Sequence, residues 1–159
     1  MNQRTVDVTR VIDAPRERVF AAWTSAEHLA RWFGPKGFTV PSCEADPRPG
    51  GVFRLVIRSP DGKDYRVRGS YREVVAPERL VIACTADDDK GIARLEEVIN
   101  VTFTEHAGKT TLKVHATASG PSAEAAAMLE GMPKGWAQTV DRLDAHLKPT
   151  PESHDKEFF

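Results

Sequence analysis

The chain has 159 residues, 22 lysines and arginines against 23 aspartates and glutamates, a formal net charge of −1 and two cysteines. Balanced charge argues against nucleic-acid binding, which needs a basic excess or stripe; two cysteines are too few for a disulfide framework, and their spacing matches no zinc pattern. No apolar run approaches the roughly 18 residues of a membrane span, and the opening Met1-Asn2-Gln3-Arg4 has no apolar signal segment, so a reduced cytoplasmic protein is expected.

In chain order, residues 4–12 alternate as a strand with Val6, Val8 and Ile12 on one face. Pro15 suits a helix start, where its missing N–H costs nothing. That helix carries Val19, Phe20 and Trp23 on one side. Thr24-Ser25-Ala26-Glu27 reads as a capping box for a second short helix burying Leu29, Trp32 and Phe33, which Gly34-Pro35 ends. Six alternating stretches follow, at 38–45, 52–59, 65–75, 80–85, 95–105 and 110–118. Pro49-Gly50, Pro60-Asp61-Gly62, Pro77-Glu78 and Ala107-Gly108 supply turns between them, and 87–91 a loop. Strict alternation means an antiparallel sheet with one buried and one wet face.

The last element spans about 122–148, with Met128, Leu129, Met132, Trp136, Val140, Leu143 and Leu147 at helical spacing. Pro133 inside it predicts a kink or two helices. The expected fold is α+β, a helix-grip of about seven antiparallel strands curved around a long C-terminal helix, in one domain over 1–148. Residues 149–159 form a tail whose Phe158-Phe159 end either frays or docks on an apolar groove.

Few residues point to chemistry. Asp87-Asp88-Asp89 lacks the ligand pattern of a calcium loop and reads as a solvated loop. The five histidines are scattered, and neither Cys43 nor Cys84 sits in an activating context, so no metal, cofactor or catalytic residue is assigned. Arg54, Arg58, Arg66, Arg68 and Arg72 fall on the outer strand face, crossed by acids, and read as a solvated surface. The inward face and the helix offer Phe53, Leu55, Tyr65, Tyr71, Glu97, Val101, Phe103, Met128, Met132 and Trp136. These support two readings, a filled core or an apolar cavity with a few polar groups. Glu97 is either in water at a strand end or buried and then paired or protonated.

Several short stretches carry a resemblance in their order. Ile12-Asp13-Ala14-Pro15 with Val19-Phe20 and Trp23-Thr24 resembles the opening of the SRPBCC (START-like) superfamily. Trp32-Phe33-Gly34-Pro35, Arg48-Pro49-Gly50-Gly51, Pro77-Glu78-Arg79-Leu80 and Gly135-Trp136 with Arg142-Leu143 are similar to the branch named after the C-terminal domain of the activator of the heat-shock chaperone ATPase. The resemblance covers about 5–147. It implies the helix-grip fold and favours the cavity, and with it non-catalytic binding of a small hydrophobic or amphipathic molecule by a monomer or homodimer. A chaperone-regulating module and an aromatase/cyclase- or hydrolase-like enzyme are the alternatives. The family signatures themselves read as scaffold, away from the site.

Overall fold

The computed structural model describes residues 2–90 and 94–148. The Phe158-Phe159 tail lies outside the described residues. Alternating apolar residues build strands β1 (Asn2–Ile12), β2 (Thr39–Ala45), β3 (Val52–Arg58), β4 (Asp64–Val75), β5 (Arg79–Asp88), β6 (Arg94–His106) and β7 (Lys109–Gly120). Helices α1 (Arg16–Thr24) and α2 (Ala26–Trp32) follow β1, and α3 (Ala123–Leu147) ends the described chain. The strands form one antiparallel sheet in the order β1-β7-β6-β5-β4-β3-β2, the chain's first strand pairing with its last. Register shifts in β2 and in β4, between Tyr71 and Glu73, bend the sheet. Gly69 lies in the same stretch of β4, where a Cβ would come within 2.0 Å of the Ala83 carbonyl oxygen.

The helix ends follow local chemistry. Ser25, one residue past the expected cap, accepts from the His28 N–H at 3.4 Å and starts α2. Ser122 accepts from the Ala125 N–H at 3.0 Å and starts α3. Gly34, at φ +104°, turns the chain after α2. Of the two expected outcomes at Pro133, a kink or two helices, the second does not occur: α3 runs through Pro133 as one element. Pro133 itself is exposed, while Leu129, Met132, Trp136 and Val140 on either side of it are buried. Packing on both sides therefore holds the helix together through the missing bond.

The acidic run departs from expectation, whereas the outer-face arginines follow it. β5 continues through Asp87 and Asp88, so these are strand residues rather than a solvated loop. Asp88 is buried, with the Lys63 ammonium 3.5 Å from its Oδ2 and the Lys90 N–H donating to its Oδ1. The five outer-face arginines are exposed, and three of them pair with Glu44, Asp64 and Asp87.

One apolar core joins all elements. At one end, α1 and α2 plug the sheet with aromatic rings. Trp23 packs edge-on against Trp32 at 4.8 Å and stacks with Trp136 at 6.3 Å, and Phe20 meets Phe103 at 5.3 Å. α3 lies mainly along β1, where Arg10 reaches Asp141 at 2.5 Å and Asp144 at 3.7 Å. Held to that edge, the helix leaves the middle of the sheet to be covered by side chains alone.

Candidate functional site

The register shows where those side chains run short. Phe53, Gly69, Cys84, Glu97 and Ala118 lie side by side across five strands, and Leu55, Val67, Ala86 and Leu95 form the next row. Between them these rows contain a glycine, a cysteine and two alanines. Toward α1 and α2 the rows are larger over β4–β6: Tyr71, Ile82 and Ile99, ending on Ala116 of β7, then Leu80, Val101 and Val114. The helix thins at the same place, with Ala127, Gly131 and Gly135 facing the space. Small residues on both walls leave a cavity of about 300 Å³ between α3 and strands β3–β6.

Of the ten residues expected in such a space, Tyr65, Glu97, Met128, Met132 and Trp136 line it. The other five do not. Tyr71 is fully buried and its hydroxyl donates to the Trp23 carbonyl oxygen at 2.9 Å. Phe53 is held between Phe33 and Tyr71 at 5.9 and 5.6 Å. Val101 and Phe103 belong to the rows plugged by the helices, and Leu55 is packed to 1% exposure. All five point inward as alternation requires, but at positions along the strands that other side chains fill.

Sequence reasoning missed the rim. Phe33, Gly34, Pro35 and Phe38 close one side, so the Trp-Phe-Gly-Pro signature contributes to the cavity wall rather than standing apart from it. Arg142 of α3 holds this rim. Its guanidinium donates to the carbonyls of Gly34 at 2.9 Å, Pro35 at 3.0 Å and Arg31 at 3.3 Å. A cation at the carbonyl end of α2 also suits that helix's dipole. The Arg-Leu pair after Gly135-Trp136 was visible in the sequence, but its partners more than a hundred residues away were not. Ile57, Val67, Cys84, Ala86, Leu95 and Thr139 complete the lining. Cys84 alternates with Leu80 and Ile82 on the inward face, and its small size is a signal the sequence carried.

Glu97 is the one charged side chain among the described lining residues. It is part-buried, and its Oε2 accepts from the Trp136 indole N–H at 3.1 Å. Burial pushes its carboxyl up to about 6, against the pull of the Trp136 hydrogen bond. Burial also raises the thiol of Cys84, directly opposite on β5, so it is uncharged at neutral pH. Thr139 donates its hydroxyl back to the Gly135 carbonyl. The cavity thus offers an apolar surface, one oriented carboxyl and no paired acid and base. Among the described residues no group of three or more histidines, cysteines or carboxylates could hold a metal, and no helix is long and apolar enough to cross a membrane.

Protein CV1439 from Chromobacterium violaceum is 28% identical, with 92% of this chain and 98% of that one covered and a TM-score of 0.75. NE0264 from Nitrosomonas europaea is 22% identical over 98% and 97%, at a TM-score of 0.73. Ms6760 from Mycobacterium smegmatis is 23% identical over 94% and 98%, at a TM-score of 0.72. The last two speak for the fold alone. No curated protein sequence matches. The family model described as Activator of Hsp90 ATPase homolog 1-like protein matches residues 13–148, from the end of β1 through α3, and the chain belongs to that family.

Proposed function

We propose that the protein binds a small hydrophobic or amphipathic molecule, without catalysis, in the cavity between the sheet and α3. The observation that carries this reading is the cavity itself, about 300 Å³ with apolar walls and a single oriented carboxyl. Its size and lining are those of small-molecule sites, and Met128 and Met132 are side chains that adapt to irregular guests. An acid–base enzyme needs a second titratable group poised against Glu97; of the lining candidates, Cys84 is held protonated by burial, and the hydrogen bond given to Glu97 comes from Trp136 rather than from Tyr65.

The test fills the cavity from within. Ala86→Leu places a larger apolar side chain at a cavity-lining position of β5. Titration of the wild-type protein with octanol, followed by tryptophan fluorescence through Trp136, should give saturable binding. The variant should lose about tenfold in affinity or more, an expectation from the contacts displaced, while its melting temperature holds. Equal octanol binding by both proteins, or no saturable binding by the wild type, overturns the reading. The family's name favours a chaperone partner as the second reading. Capture of a purified Hsp90-type chaperone that is equally strong for wild type and Ala86→Leu would support that reading instead.

A further inference from the structure

We propose that the cavity selects a cationic amphiphile, an apolar body carrying an amine, and that Glu97 is the residue that selects it. The proposal rests on the cavity reading above and goes further by naming the chemical class of guest.

Glu97 has two oxygens and one partner. Oε2 accepts from Trp136, and among the described residues no donor reaches the other oxygen. Across the sheet its direct neighbours are Cys84 on β5 and Ala118 on β7, neither of which brings positive charge. From α3 it faces Trp136, with Met132 and Gly135 beside it in the lining. Lys63, in the β3–β4 turn, does not line the cavity. Its ammonium lies 3.5 Å from Asp88 Oδ2 and 5.7 Å from the centre of the Tyr65 ring. Among the described residues the carboxylate therefore has no protein cation within the cavity.

A charge held among apolar walls attracts an opposite charge far more strongly than in water, and repels a like one equally. An alkylammonium guest supplies both what the walls accept and what the free oxygen lacks, as a charge-assisted hydrogen bond. An alcohol supplies the donor without the charge. A fatty carboxylate meets the cavity's only charge with its own.

Calorimetric titration with octylamine, octanol and octanoate separates these cases. The wild-type protein should bind octylamine about tenfold more tightly than octanol, and octanoate more weakly than either. Glu97→Gln keeps an acceptor for Trp136 and should bring octylamine down to the level of octanol. Octane, which meets only the walls, should bind wild type and variant alike, and that equality is the check that the variant's cavity is intact. Octylamine no better than octanol in the wild type, or an amine preference that survives Glu97→Gln, overturns the amine proposal and leaves the cavity reading standing. If none of the three binds the wild type, the cavity reading falls and takes this proposal with it.

Discussion

Replacing Glu97 by glutamine should change stability in a way that depends on pH. Glu97 ionises at about 6 in the folded protein against an ordinary value of 4.5. Its folded value is raised, so ionising it costs the folded state something the unfolded chain does not bear. Below about 4.5 both states hold the proton and the cost vanishes; it grows as pH rises and is complete above about 6. The interval between the two values corresponds to about 2 kcal/mol near neutral pH and to about 0.2 kcal/mol near pH 4. Glu97→Gln removes the charge and keeps an acceptor for Trp136. Relative to wild type it should therefore gain about 2 kcal/mol more near pH 7 than near pH 4, or roughly 4–8 °C in melting temperature. Any fixed offset of the amide cancels in that comparison. So does the contribution of His146, whose value is lowered by burial and by His28, Arg31 and Arg18, so that its stability is lost as pH falls below 6.5 in both proteins. Urea denaturation of the two proteins at both pH values is the assay. A difference between them that stays constant with pH would show that Glu97 titrates as if in water, and would refute the reasoning.

Arg142→Met should cost about 1.5–3 kcal/mol, because the fork of hydrogen bonds to the carbonyls after α2 is charge-assisted. Arg142→Lys should restore only part of it, since an ammonium is a point donor without the planar fork; thermal melts of both check this, and a fully restored melting temperature contradicts the fork. Gly131→Ala should stabilise by about 0.5–1 kcal/mol, because a Cβ there meets no atom within 4 Å and alanine favours helix over glycine. A lowered melting temperature for that variant would mean that the backbone at Gly131 needs freedom an alanine lacks.

The sheet was legible because period-two alternation reports which face a residue presents, and seven stretches carried it clearly. α3 was legible as a helix, but its continuity was not: Pro133 marks a local defect, and the packing of Leu129, Met132 and Trp136 that overrides it is tertiary. The same limit governs the site. Alternation put Tyr71, Val101 and Phe103 on the inner face alongside Tyr65 and Glu97, and all five do face inward. Which of them meets open space depends on where α1, α2 and α3 rest along the strands. Phe103 meets Phe20 and Tyr71 reaches Trp23, whereas nothing comparable stands over Glu97 except Trp136. Arg142 and the Gly34-Pro35 rim were each visible, but a bond between residues 107 or 108 positions apart has no local signature.

The void nevertheless has a sequence basis, once register is known. Cys84 is unremarkable in the chain, yet pairing places it directly beside Glu97 in the lining; Gly69, in the same row, is small because the Ala83 carbonyl oxygen approaches it closely. Ala86 extends the gap into the next row, and Gly131 and Gly135, one helical turn apart on α3, extend it through the opposite wall. Elsewhere the same sheet face carries Tyr71, Ile82, Ile99, Leu80, Val101, Phe103 and Leu112, each at 2% exposure or less. An interior that packs closely everywhere else is not loose in general. Leucine in place of Ala86 would fill the gap with the chemistry the neighbouring rows already use. Small residues line both walls around the one charged lining residue, whereas the buried Ala116 of the Ile82–Ile99 row lies outside the cavity lining. Local packing gains from filling that space, so its retention on both walls fits a space that a guest occupies.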